Sequence, residues 1–203
     1  MTEFLLIRHA LTDAADHWYA GRMPGVTLNG RGHQQAAALA QRLENFTLDA
    51  LYSSPLERCL ETAEPIAKAS GRMVVTDDAF TEIDCGDWTG KPFEELRKED
   101  AFARFNSFRC GTRPPNGELM VEVQARMVAG ILRLAERHKD QTVAIVTHSD
   151  AIKAVLAYFL GIPLDLSSRL VTDPASVSIF ELRERDARVR IVNHLGPLGL
   201  QEV

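Results

Sequence analysis

The sequence predicts an α/β fold: a three-layer sandwich with a mostly parallel central sheet, helices on both faces, a C-terminal hairpin and a small cap insertion. Three observations carry this. Short apolar runs alternate with amphipathic stretches of helical period from residue 4 to residue 160. Turn and cap residues punctuate the alternation. The last two apolar runs change to period two, with a polar turn between them.

The elements follow in order. Phe4-Leu5-Leu6-Ile7 reads as a buried strand. Gly30 and Gly32 precede a helix from about His33 to Glu44, whose apolar face is Ala36, Leu39, Ala40 and Leu43. Ala50-Leu51-Tyr52-Ser53 is a second strand. A helix follows at once, with Ser54 as N-cap, Pro55 at N1, Glu57 completing a capping box and Gly71 as the C-terminal stop. Met73 to Thr76 is a third strand. Residues 84–117 are the least regular stretch, a cap-like excursion with a short helix from Phe93 to Phe105. Pro114-Pro115-Asn116-Gly117 ends it and starts a long helix from about Glu118 to His138, with an inner stripe of Val121, Ala125, Val128, Leu132 and Ala135. Thr142 to Thr147 is a fourth strand, and Ala151 to Leu160 a helix stopped by Gly161 and Pro163. Val177–Leu182 and Val189–His194 form the closing hairpin around a turn at 184–188. The chain reads as one domain, 1–203, carrying the cap insertion around 84–117.

Composition sets further bounds. The 23 Lys and Arg against 28 Asp and Glu leave a formal charge of −5, which argues against nucleic acid or anionic membrane as partner. A small anionic ligand needs only a local positive cluster. The longest apolar stretch, Ala154 to Ile162, is far too short to span a bilayer. Met1-Thr2-Glu3 lacks a basic n-region, so no signal peptide is expected. Cys59, Cys85 and Cys110 are odd in number and lack CxxC spacing, which points to reduced thiols in a cytoplasmic protein. Nothing in the pattern specifies an oligomeric state.

In sheets of this kind ligands sit outside the carboxyl ends of the strands. The first strand ends in Arg8-His9, the second in Ser53-Ser54-Pro55 with Arg58 one turn on, and the fourth in Thr147-His148. These ends offer two imidazoles and two guanidiniums beside helix N-termini. The ligand they suit is a phosphate, which guanidinium grips in a planar, bidentate fashion. His9, His148 and a carboxylate would also suit zinc, but two neighbouring arginines repel a cation and no HExxH is present. There is no GxxxxGK[ST] loop, no GxGxxG, no Cys with an Arg six positions on and no GxSxG elbow. Histidine is the strongest nucleophile candidate left.

Leu6-Ile7-Arg8-His9-Ala10-Leu11-Thr12 resembles the signature of the histidine phosphatase superfamily, the phosphoglycerate mutase-like proteins. The resemblance continues through Leu28–Gly32, Gln35-Ala36, Tyr52–Ala63, Glu82–Gly90, Pro115–Glu118 and Val146–His148, in the family's order. It implies His9 as a nucleophile that forms phosphohistidine, and Arg8 and Arg58 as holders of the phosphoryl oxygens. It implies His148 as a second histidine donating to the phosphate, and Glu82 as the general acid. The reaction it implies is metal-independent and uses no cofactor. Asp84 and Asp87 are alternatives to Glu82 that only the family pattern disfavours. Thr12 matches the signature threonine and either contacts phosphate or caps.

Departures from the pattern are local. Ala10 replaces the usual Gly, Ala14–Trp18 fills the place of an expected Asn, and Ser149-Asp150 replaces a Gly pair. Asp150 near an anion is unfavourable, so it is expected to face away. His17, Trp18, Arg22 and Phe93 are candidates for substrate selection. Trp88 is expected to pack the Glu82 loop, His33 and His138 to face solvent, and His194 to end an edge strand. The expected activity is hydrolysis of a phosphomonoester, a small phosphorylated metabolite, through phosphohistidine. A broad-specificity enzyme and one for a nucleotide-like ester such as α-ribazole phosphate both fit. The runner-up readings are a phosphoglycerate mutase and a non-catalytic phosphate-binding module. The compact chain and the acidic cap residues Glu94, Glu95, Glu99 and Asp100 favour a phosphatase for singly phosphorylated substrates.

Overall fold

A computed structural model describes residues 1–15 and 17–198. Six strands form one sheet in the order β3-β2-β4-β1-β5-β6. They are β1 (Thr2–Arg8), β2 (Ala50–Ser53), β3 (Val74–Thr76), β4 (Thr142–Thr147), β5 (Val177–Leu182) and β6 (Ala187–His194). The pairs β1–β4, β2–β4 and β2–β3 are parallel. The pairs β1–β5 and β5–β6 are antiparallel. The α-helices among the described residues are α1 (Gly30–Arg42), α2 (Glu57–Ser70), α3 (Phe93–Leu96), α4 (Asp100–Ser107), α5 (Met120–Arg137) and α6 (Ser149–Leu160). The layered α/β class expected from the sequence is the fold observed.

The unbroken apolar runs have a simple cause: both faces of the central strands are covered. Leu5 and Ile7 of β1, with Ala144 and Val146 of β4, face Ala36 and Leu39 of α1 and Cys59, Ala63 and Ile66 of α2. Phe4 and Leu6, with Val143 and Ile145, face Met127, Ile131 and Leu134 of α5 and Ile152, Val155 and Leu156 of α6. No helix among the described residues is long and apolar enough to cross a membrane.

Four local expectations are corrected. The capping box at Ser54 and Glu57 does not form; α2 starts at Glu57 with Leu56 as N-cap. The Ser54 hydroxyl is engaged by His148 Nε2 at 2.8 Å, while Glu57 Oε1 accepts from the Gly25 amide at 3.0 Å. The expected helix from Phe93 to Phe105 is two helices, and between them Glu99 accepts from Trp88 Nε1 and Lys91 Nζ, both at 3.1 Å. Of the stripe expected on α5, Val128 is buried and Ala135 packs against the core, but Val121 is 39% and Leu132 45% exposed; the other buried positions are Met120, Val123, Met127, Gly130, Ile131 and Leu134. Apolar residues occupy both faces of this helix, so spacing alone does not choose between them. Close approach does: a Cβ at Gly130 would lie 3.0 Å from Ala79 Cβ and 3.1 Å from the Phe80 ring. His138 does not face solvent; it caps α5, donates from Nδ1 to Gln141 Oε1 at 2.7 Å and accepts from the Tyr52 hydroxyl at 2.9 Å.

Candidate active site

Strand register gathers the site. Arg8 pairs with Thr147 across β1–β4, and Ser53 with Val146 across β2–β4, so three strands end at one level. The His9 amide donates to the Thr147 carbonyl at 2.9 Å, which carries the imidazole one step beyond the strand. Here lies a cavity of about 280 Å³ whose walls include Arg8, His9, Thr12, Arg58 and Glu82. His148 sits directly beneath, its ring centroid 5.2 Å from that of His9 and fully buried.

The hydrogen bonds fix which nitrogens are available. His9 Nδ1–H donates to the Ala10 carbonyl at 2.8 Å, which leaves the lone pair on Nε2. Arg58 Nη2 donates to the Gly21 carbonyl at 2.7 Å and to His148 Nδ1 at 3.2 Å. His148 must therefore carry its proton on Nε2, which donates to Ser54 Oγ. Arg58 is 2% exposed, and its Nη1 is buried without a protein partner. A buried guanidinium whose protein partners are all neutral is a strong demand for an anion. Arg8 Nη1 donates to the Thr172 carbonyl at 2.6 Å, which fixes that side chain in the same wall.

Electrostatics follow from this crowding. Burial first, then the charges of Arg58 and Arg8, hold His9 well below the usual imidazole range. Burial, Arg58 and His9 do the same to His148. Glu82 moves the other way. Burial and the negative charge of Asp150 push it up to about 7, against the opposing pull of the Ile83 amide, Arg58 and Arg126. That amide donates to Glu82 Oε1 at 2.9 Å.

The backbone around Glu82 is held from behind. Arg22 Nε and Arg126 Nη2 donate to the Glu82 carbonyl at 2.8 and 3.0 Å. Arg126 Nη1 also donates to the carbonyls of Ala79 and Thr81. Glu118 accepts from both arginines. Gly86 secures the next turn: its φ is +51°, and a Cβ there would lie 2.0 Å from the Pro115 carbonyl oxygen. Trp88 is fully buried against Phe102 and Phe105, as expected for a residue packing this loop.

The structure sorts the other candidates. Trp18 and Phe93 line the cavity. His17 is exposed and outside the lining, and Arg22 is spent on Glu82 and Glu118. Asp84 accepts from the Gly86 amide and Asp87 from Asn116, and neither lines the cavity, unlike Glu82. Asp150 does not face away: it lines the cavity and accepts from Arg109 Nη1 at 2.9 Å. Its partner cation removes the repulsion that made an inward carboxylate unfavourable. Arg109, Tyr19, Phe102 and Asn106 also line the wall and were not singled out from sequence. The one available signal was the aromatic and basic content of 102–109 in a stretch that otherwise reads as irregular.

Comparisons with known proteins agree with this geometry. Residues 4–194 match the profile of the histidine phosphatase superfamily (branch 1). Phosphoserine phosphatase 1 of Hydrogenobacter thermophilus is 33% identical over 205 residues, covering 97% of this chain and 95% of its own. The solved structure of Bacillus stearothermophilus YhfR superposes with a TM-score of 0.91 at 32% identity, covering 97% of this chain and 98% of the other. A phosphoserine phosphatase of Entamoeba histolytica, solved with 3-phosphoglyceric acid, gives a TM-score of 0.87 at 26% identity over 96% and 98% of the chains. The converging strand ends, the anion-seeking arginines and these matches lead to one conclusion: the chain belongs to branch 1 of the histidine phosphatase superfamily.

Proposed function

We propose that this protein hydrolyses the phosphomonoester of a small metabolite in two steps through a phosphohistidine on His9. One observation carries the proposal: the free Nε2 of a neutral His9 shares a cavity with the unpartnered Nη1 of Arg58 and with a carboxylic acid, Glu82. In the first step His9 Nε2 forms a bond to phosphorus while the bond to the ester oxygen breaks. The Glu82 proton passes to that oxygen, so the alcohol leaves neutral. In the second step Glu82, now a carboxylate, takes a proton from water as the water oxygen attacks phosphorus. The His9–phosphorus bond breaks, inorganic phosphate leaves and both residues return to their starting states.

The remaining residues serve charge. Arg8 and Arg58 lie where the equatorial oxygens of the transferring group carry negative charge. Thr12 offers a hydroxyl in the same wall. His148 in the resting state accepts from Arg58, so it is a neutral ring in a field of cations. A phosphoryl dianion reverses that field and favours the protonated ring, which then donates to the bound group. Trp18 and Phe93 shape the space for the alcohol portion. The three free cysteines, two of them buried, support a reducing, cytoplasmic setting.

Stereochemistry tests the two-step course. A phosphorothioate monoester made chiral with two oxygen isotopes and hydrolysed in water of the third gives net retention at phosphorus after two in-line displacements. Inversion would mean direct attack by water and would overturn the covalent route. Stoichiometric release of inorganic phosphate from the ordinary oxygen ester separates hydrolysis from mutase chemistry.

A further inference from the structure

One buried thiol stands directly behind the phosphate site. Cys59, in the first turn of α2, is fully buried, as are Ser54, Thr147 and His148. Its sulfur lies 3.4 Å from Nε2 and 3.8 Å from Nδ1 of His148. In the ring plane those distances would drive the sulfur into Cε1, so it rests over the ring face, out of line with the hydrogen bonds of both nitrogens. The thiol instead donates to the Thr147 carbonyl at 3.6 Å. Burial pushes it up to about 12, against the opposing pull of Arg58 and of a hydrogen bond with Ser54, so it keeps its proton at neutral pH.

These contacts form one directed chain. Arg58 Nη2 donates to His148 Nδ1 at 3.2 Å, and His148 Nε2 donates to Ser54 Oγ at 2.8 Å. The Leu56 amide also donates to Ser54 Oγ, at 3.4 Å, so both acceptor positions of that oxygen are taken. The Ser54 proton is left for the Cys59 sulfur, and the thiol proton goes to Thr147. A guanidinium can only donate and a carbonyl can only accept, so the two ends fix every proton between them. The same Thr147 carbonyl accepts the His9 amide at 2.9 Å, which ties both histidines to one atom.

The direction of the chain decides whether His148 can become a cation. Burial, then Arg58, His9, Arg126 and Arg8, oppose a positive charge on this ring. A ring that gains a proton at Nδ1 against a phosphoryl dianion needs an acceptor at each nitrogen: the phosphoryl oxygen at Nδ1 and Ser54 at Nε2. Without the sulfur, the Ser54 hydroxyl is free to turn and donate to Nε2. The ring would then hold its single proton on Nδ1 and stay neutral. In so buried a place solvent does not readily replace a lost link.

We propose that Cys59 and Ser54 are positioning residues for His148: the thiol takes up the Ser54 proton, which commits the Ser54 oxygen to Nε2–H and lets the ring carry a second proton when phosphate is bound. This rests on the phosphatase reading above. Nitrogen-15 NMR of the His148 ring tests it in the intact protein. The free wild type should show Nε2 protonated and Nδ1 bare, and saturation with inorganic phosphate should protonate both. Cys59→Val fills the space without a hydrogen bond. It should show a share of the Nδ1–H form when free and a neutral ring with phosphate. Its kcat/KM should fall by about tenfold or more, on alkyl phosphates and p-nitrophenyl phosphate alike, because His148 serves the phosphoryl group and not the leaving oxygen. Cys59→Ser keeps a donor and an acceptor and should restore both the signals and the rate. A wild type with Nδ1–H when free would overturn the chain, and this result needs no variant to fold. Wild-type signals and rates in Cys59→Val, a loss confined to alkyl esters, or a Cys59→Ser as impaired as Cys59→Val would each overturn the role of the thiol. A wild type that releases phosphate from no ester would defeat the phosphatase reading, whatever the ring signals show.

Discussion

Raising the pH through neutrality strips Glu82 of the proton that the leaving oxygen needs. Burial and Asp150 push this acid up to about 7. At pH 7 about half the molecules then carry the proton, whereas at the ordinary value of about 4.3 only roughly one in five hundred would. Above neutrality the protonated fraction falls about tenfold per pH unit. For an alkyl phosphate, whose alkoxide leaves badly, kcat/KM should follow that fall. For p-nitrophenyl phosphate the phenolate leaves unaided, so the alkaline limb should be weak. The substrate's own second ionisation, at about 6, shapes the acid limb of both esters alike. Asp150→Asn removes a negative charge that disfavours ionisation of Glu82, so the alkaline limb should move to lower pH. The assay is phosphate release from both esters across this range, for wild type, Glu82→Gln and Asp150→Asn. Equal alkaline limbs on the two esters, or a limb that stays in place in Asp150→Asn, would refute the assignment of Glu82 as the acid.

Three other expectations follow from the geometry. Arg58→Lys should lower kcat/KM by about 10²-fold or more, because an ammonium cannot hold Gly21, His148 and phosphate together; near-wild-type kinetics would remove Arg58 from the phosphate site. Arg126→Met should leave the Glu82 carbonyl without one donor and Glu118 without one cation, costing about 3 kcal/mol in urea unfolding and lowering kcat on alkyl esters more than on p-nitrophenyl phosphate. An unchanged urea midpoint would show that the clamp is idle. Gly86→Ala should lose about 1–3 kcal/mol of stability, from its left-handed backbone and the clash with the Pro115 carbonyl, read as a lower thermal midpoint.

Much of this site was legible because its residues fall at strand ends. Arg8, His9, Ser54 and His148 needed only correct strands and the parallel order for their convergence to follow. Glu82 was legible by resemblance alone: it lies on an irregular loop, and its position depends on Arg22, Arg126 and Glu118 behind it. Arg22 looked like a substrate contact because sequence shows a cation near the signature but not the carbonyl it faces. Asp150 was misplaced for a similar reason. Its partner Arg109 lies 41 positions away in the cap, and a carboxylate beside a phosphate site makes sense only once that cation is seen. The α5 stripe was legible only at Val128 and Ala135, because two apolar faces compete and tertiary contact at Gly130 decides between them.

Trapping the phosphoenzyme tests the central claim most directly. A brief reaction with a labelled phosphomonoester, quenched in base and digested, should yield one acid-labile, base-stable phosphopeptide containing His9. The phosphoryl group should sit on Nε2, because Nδ1 is committed to the Ala10 carbonyl. His9→Ala should give none. A phosphopeptide that maps elsewhere, or one that persists in His9→Ala, would contradict the assignment of His9 as the nucleophile.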